Sequence, residues 1–260
     1  MPEIQYRSVE DVGIRMPHEF ATGNEPIDDG WLTQVALTAG MTRAAGIIAA
    51  AQELSADPSN KLPTILGLLK NLVFARAQQT IDEVVAKAPR LGCKNGCSYC
   101  CHQEVEVTIP EAILAFAHVA DPSDQRRQGI LDTAVRSQGL SKAERALSRA
   151  PCPMLVEGRC SIYESRPLAC RAALAAETEQ CRAAFVATSP SEKVLVERFS
   201  HAQLAVLGDQ AAMRGVLKDM GLQYDVVELT RAVAALIRDP GLIDRWLSGE
   251  QAFGPEVTLQ

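Results

Sequence analysis

The chain has 260 residues and a formal net charge of −6, a length that suits one large domain or two small ones. The acidic balance excludes general binding to nucleic acid or to anionic membranes, which needs a basic surface. Hydrophobic residues make up 47% and aromatics 5%, enough apolar material for a core of its own, and the abundant alanine favours close helix packing over a sheet-rich interior. No internal repeat and no low-complexity tract stands out.

The opening residues MPEIQYRSVEDVGIRM lack a basic segment followed by an apolar run and do not read as a signal peptide. The longest apolar run, residues 44–51, is too short to cross a bilayer. Both readings point to a soluble cytoplasmic protein, where thiols stay reduced. Residues 1–30 carry Pro2, Pro17 and Pro26 without a sustained period and read as an extended N-terminal arm. From Trp31 to about Leu54 the pattern is helical, with Gly40 and Gly46 allowing close approach of another helix. Asn60 then stands as an N-cap with Pro63 in the first turn. The clearest helix follows: Ile65, Leu66, Leu69, Leu72, Val73, Ala77, Ile81, Val84, Val85 and Ala88 recur at three- and four-residue intervals. Pro89 ends it, and Gly92 frees the backbone just before Cys93. Residues 31–90 thus read as a helical segment that packs with the C-terminal helices.

Val105, Glu106 and Val107 alternate as a short strand, and Thr108 with Glu111 forms a capping box that opens a helix ending near Asp121 and Pro122. Two more helices are predicted, one to about Ser137 and one from Ser141, where Glu144 completes a second box. Residues 154–156 and 160–163, around Gly158, read as a small hairpin. The chain turns helical again beyond Cys170 and carries Cys181. Ser189 to Glu192 is a further helix start, with helices predicted over 194–220, 226–237 and 242–247 and a loose tail after Gly254. The expected fold is mainly α: a helical domain enclosing a cysteine-rich metal-binding module with a small β-hairpin. The module covers residues 91–187, and residues 188–260 form C-terminal helices and a tail.

The chemistry lies in the thiols. Cys93, Cys97, Cys100, Cys101, Cys152, Cys160, Cys170 and Cys181 account for every cysteine of the chain and occupy one third of it. Core cysteines scattered for packing would not confine themselves this way. Disulfides, redox exchange and metal ligation are the physical reasons to gather thiols. In a reducing compartment metal ligation leads, with all eight as candidate ligands for zinc or an iron–sulfur cluster. Eight thiols can fill two four-thiolate sites, or one site with exchangeable thiols left over. The spacing Cys93-x3-Cys97-x2-Cys100, with Tyr99 before the third, is also the cluster motif of radical S-adenosylmethionine enzymes. Those enzymes build it on an alternating strand–helix barrel, whereas mainly helices and a hairpin are predicted here.

The pieces CKNGCSYCC, VEVTIPEA, CPML, VEGRC and SIYESRPLACR together resemble the zinc- or iron-chelating family named for its CxxCxxCC cluster, the YkgJ-like cysteine-cluster proteins. The resemblance covers about residues 91–185, with one departure: the first gap is three residues rather than two. It implies Cys97, Cys100, Cys101, Cys152, Cys160 and Cys170 as ligands; the extra residue displaces Cys93, and Cys181 lies beyond the matched pattern. It implies metal or cluster binding, with no defined reaction for most members. A flagellin lysine methylase is similar in this region, so the alternative reading is an iron–sulfur enzyme using S-adenosylmethionine, such as a protein lysine methyl-transfer enzyme.

Other polar residues have plainer readings beside the functional ones. His102, next to Cys101, is either a ligand or a hydrogen-bonding imidazole, and His18, His118 and His201 have no ligand-spaced neighbours. Arg166 and Arg171 bracket Cys170, as charge compensation for thiolates or as ordinary ion pairs. Glu106 and Glu111 are a conceivable carboxylate pair, although Glu111 already has a capping role. No Ser/His/Asp set and no phosphate-cradling glycine loop is present, so conventional hydrolase or nucleotide chemistry has no support.

Overall fold

A computed structural model describes residues 60–88, 90–94, 96–189, 194 and 196–258. The predicted arm over 1–30, the helix from Trp31 to Leu54, the stop at Pro89 and most of the start at Ser189 to Glu192 lie outside the described residues. What is described is mainly helical, with two small two-stranded sheets among the described residues.

Helix α1 (Lys61–Leu68) passes through a π-helical segment (Leu69–Phe74) into α2 (Ala75–Lys87). Asn60 occupies the N-cap position, but its side chain makes no capping hydrogen bond. Ile65, Leu69, Val73, Ala77 and Ile81 are buried, as their spacing predicts. The wider π turn lets the neighbouring Val73 and Phe74 both face inward. Ala88 is already extended, at φ −68° and ψ 124°, the conformation favoured before a proline.

Strand β1 (Glu106–Thr108) leads into α3 (Ile109–Ala117) through the predicted capping box. The Glu111 carboxylate accepts Thr108 N–H and Thr108 O–H, each at 2.8 Å. Helix α4 (Arg126–Ser137) and α5 (Lys142–Leu147) follow, the latter with its Ser141–Glu144 box formed. The hairpin is also present as β2 (Leu155–Val156) and β3 (Arg159–Cys160), with Glu157 at φ 50° and Gly158 at φ 74° making the turn. Helices α6 (Leu168–Ala172) and α7 (Thr178–Val186) carry Cys170 and Cys181.

Three expectations need correction. The helix predicted from Val194 begins at Ser200 instead, as α8 (Ser200–Asp219). The residues before it are drawn into extended pairing, with Ala176 N–H donating to Glu197 C=O at 3.1 Å and Arg198 bridging Ala175. The helix predicted from Val226 opens as strand β4 (Val226–Glu228) before α9 (Leu229–Arg238). β4 runs antiparallel to β1 in the register Glu106↔Glu228, Val107↔Val227 and Thr108↔Val226. Two β-branched residues in a row fit a strand as well as a helix, and the partner strand decides. Finally, the tail after Gly254 is fastened: Val257 is buried, its C=O accepts Glu228 N–H at 2.9 Å, and Thr258 bridges Val227. The short α10 (Leu242–Leu247) sits where predicted.

β1–α3 and β4–α9 form two strand–cap–helix units facing each other across the ribbon. In the second, the Glu228 carboxylate accepts Arg231 N–H at 2.8 Å, as a helix N-cap should. The sequence hides the likeness because the first unit caps with Thr108 and Glu111 and the second with Glu228 alone. α3 and α9 pack on each other, and α9 on α4. One apolar core collects side chains from residues 65–77, 107–172 and 206–257. α8 packs against both α2 and α6, so the cysteine-bearing α6 lies on the core.

At the entry to α4, Asp124 accepts Arg126 N–H at 2.8 Å and Arg126 Nε–H at 2.9 Å. The hydrogen-bonded Arg126 guanidinium holds the Asp124 carboxyl down to about 2. A carboxyl depressed by folding stabilises above its ordinary titration range and loses that contribution as pH falls through the folded value. Asp124→Asn should therefore lower the urea midpoint at pH 6, with the difference from the parent chain shrinking between pH 4 and pH 2. A difference that stays constant over that interval would show that the ion pair adds nothing.

Candidate metal centre

Local geometry places each thiol. Gly92 N–H donates to Ala175 C=O at 2.9 Å, and Thr178 Oγ1 donates to Gly92 C=O, so the chain enters the loop clamped to the segment before α7. Cys97 closes a turn on Lys94 (2.9 Å) that Gly96 makes at φ 87°. A 3₁₀ turn, Tyr99–His102, then presents Cys100 and Cys101. The His102 ring donates through Nδ1 to Ser98 C=O at 3.0 Å and lies edge-on to Phe185. That is the hydrogen-bonding reading of this histidine.

The two cysteine regions meet directly: Cys152 N–H donates to Cys101 C=O at 2.6 Å. Cys93 Sγ accepts Ala175 N–H at 3.2 Å, and the nearby amides of Met154 and Ile162 act to lower Cys152 and Cys160. Amides aimed at sulfur favour its charged form. Cys170 is held through its helix. The first turn of α6 has no capping side chain of its own, and Leu168 N–H donates instead to Glu111 Oε1 at 2.7 Å. One buried carboxylate therefore caps both α3 and α6, which makes Glu111 a structural link and not half of a catalytic pair. Glu106, half-exposed, pairs with Lys142.

All eight thiols are free and partly buried. The hydrogen bond between Cys100 and Cys101 lowers Cys100 and raises Cys101. Burial pushes Cys93, Cys160 and Cys181 up, Cys170 well up and Cys152 up to about 11. Neighbouring thiols add to these shifts: Cys93 feels Cys97 and Cys100, Cys181 feels Cys93, Cys97 and Cys100, and Cys170 feels Cys152, Cys100 and Cys160.

Three arginines oppose the rise, Arg145 at Cys152 and two others more widely. Arg198 favours the thiolates of Cys93, Cys100 and Cys181, and Arg166 those of Cys100 and Cys160. Arg166 Nε is buried without a hydrogen-bond partner among the described residues. Arg171 is used otherwise. It stacks on Phe74 at 4.4 Å and donates to Arg166 C=O, Glu164 C=O and Gln78 Oε1. Arg198 was not legible in the sequence, because no cysteine neighbours it and only the bridge to Ala175 brings it in.

Among the described residues no three cysteine, histidine or carboxylate side chains stand close enough, as placed, to clasp one ion. The thiols are gathered but not drawn together.

Residues 92–188 match the CxxCxxCC family model. Its description reads "Putative zinc- or iron-chelating domain". Every cysteine of the chain, including Cys93 and Cys181, falls within the matched span, and so does Glu111. No curated protein and no solved structure matches the chain. The CxxCxxCC match and the all-sulfur cluster together support metal binding. The S-adenosylmethionine reading has no support: the CxxCxxCC loop lies between a helix and a two-stranded ribbon, not on a strand–helix barrel. No helix among the described residues is long and apolar enough to cross a membrane.

Proposed function

We propose that this chain is a metal-binding protein in which clustered cysteine thiolates hold zinc or an iron–sulfur cluster. The observation that carries the reading is the meeting of the two cysteine regions, where Cys152 N–H donates to Cys101 C=O. Sulfur donors suit zinc, iron–sulfur clusters and other soft ions, while calcium and magnesium require oxygen. The fit extends to charge, since four thiolates around a divalent ion leave a net negative site, and Arg166 and Arg198 flank the thiols. A bound metal supplies a cross-link between the loop at residues 93–101 and the segments at 152–181. The residues that would hold it are Cys93, Cys97, Cys100, Cys101, Cys152, Cys160, Cys170 and Cys181.

Anaerobic purification followed by metal analysis, sulfide assay and a visible spectrum tests this. Stoichiometric zinc without colour, or iron with acid-labile sulfide and a brown chromophore, is the expected result. A chain that carries no metal and takes up none on reconstitution would overturn it. Removing the metal with a chelator should loosen the cysteine module yet leave most of the helical circular dichroism, because much of the apolar core comes from residues 65–77 and 206–257, outside that module. Complete loss of helical signal would show that the metal holds the whole chain folded.

A further inference from the structure

We propose that the eight thiols are two tetrads, an outer set of Cys93, Cys97, Cys100 and Cys181 and an inner set of Cys101, Cys152, Cys160 and Cys170, each binding its own thiophilic ion. This rests on the metal-binding reading and gives it a stoichiometry and a division of labour.

The wall of one recess divides the thiols. A recess of about 40 Å³ opens beside the 3₁₀ turn, and the cysteines in its wall are Cys93, Cys97, Cys100 and Cys181, with Arg198 and Phe185 beside them. None of the other four lines it. The recess has room for little more than an ion or a single water. Electrostatic neighbours follow this division except at Cys100, which also raises Cys101, Cys160 and Cys170. Cys181 feels Cys93, and both feel Cys97 and Cys100, whereas Cys101 feels Cys152 and Cys170, and Cys170 feels Cys152 and Cys160. Cys100 touches both groups and stands at the junction.

The backbone explains how adjacent cysteines can serve different sets. Residues one step apart on a 3₁₀ turn point about 120° apart, so Cys100 can face the recess while Cys101 faces Cys152. The inner set is tied by backbone: Cys101 to Cys152 directly, Cys152 through the turn that Leu155 N–H closes on its C=O, Cys160 through its pairing with Leu155 in the hairpin, and Cys170 through Glu111 and α6. The outer set joins the loop to α7 and is reached from the recess, with Arg198 supplying the counter-charge. The outer ion is therefore the exchangeable one, and the inner ion holds the module together.

The test uses the full-length chain, purified without oxygen, loaded with zinc and challenged with a chromophoric chelator. About two zinc ions per chain should bind and leave in a fast and a slow phase. Cys181→Ser and Cys97→Ser should each lose the fast phase and about half of the zinc, with helical circular dichroism unchanged. Cys160→Ser should lose the slow phase. Because Cys160→Ser could also unfold the module, the two outer variants, on a loop and a partly exposed helix, decide the matter. A single ion released in one phase, or Cys181→Ser and Cys97→Ser that keep both phases, would overturn the division while leaving metal binding intact. A chain that binds no zinc overturns the division together with the reading beneath it.

Discussion

Replacing Glu111 with alanine should destabilise the chain by about 2–5 kcal/mol, the range for two buried amides left without acceptors together with a cavity. Its side chain is 1% exposed and takes three hydrogen bonds, from Thr108 N–H, Thr108 O–H and Leu168 N–H. Alanine leaves two backbone donors buried without acceptors and opens a cavity beside Ile109 and Leu168, which are themselves fully buried. Glu111→Gln keeps the volume but turns one oxygen into a donor facing another donor, so it should cost less than alanine yet still measurably. Urea unfolding reads both. Metal content adds a second measurement, because the α6 turn that carries Cys170 loses its cap in either variant. Unchanged stability in Glu111→Ala would mean that the two helix starts do not depend on the shared carboxylate.

Gly92→Ala should be nearly as costly, for a steric reason. A Cβ there would lie 2.6 Å from the Glu177 carbonyl carbon and closer still to Thr178 N, and both are backbone atoms that no rotamer can move aside. The expected role of Gly92, releasing the backbone before the loop, is thus only part of its work, since it also lets two chain segments touch. Separating them breaks the Gly92–Ala175 hydrogen bond and moves Cys93 away from the start of α7. The expected loss is about 1–3 kcal/mol, as for an overpacked interior site. On the two-tetrad proposal the loss falls on one ion, so metal analysis of Gly92→Ala should show the fast-exchanging equivalent reduced and the slow one retained. Loss of the slow equivalent first would place Cys93 in the wrong set.

What could be read from the sequence follows from how locally each feature is decided. Thr108 with Glu111 and Ser141 with Glu144 dictate their own turns, and Gly158 marks the only place where the hairpin can reverse. Such signals need no partner. The strand at 226–228 does need one: VVELTR is a sound helix start until Glu106 to Thr108 lie alongside it. The same dependence hides the fastening of Val257 and the extended chain that runs on to Phe199. The gathering of the thiols was plain, but their grouping was not. Spacing tells which cysteines are neighbours along the chain, whereas Cys181 joins Cys93 only because Thr178 docks on Gly92. Arg166 was legible through its closeness to Cys170, and Arg171 misleadingly so, since its guanidinium turns to Phe74.

The β1–β4 ribbon bears on the order of events during synthesis. Every cysteine precedes residue 226, and the strand that closes against Glu106 to Thr108 comes after all of them. A growing chain therefore emerges with its full complement of thiols before the second strand–cap–helix unit exists to seat α3. Through that interval the sulfurs are at their most open to oxidants and to stray ions, on a segment that cannot yet complete its core. Early capture of metal by the nascent loop would guard them, and late capture would leave that task to the reducing power of the surroundings.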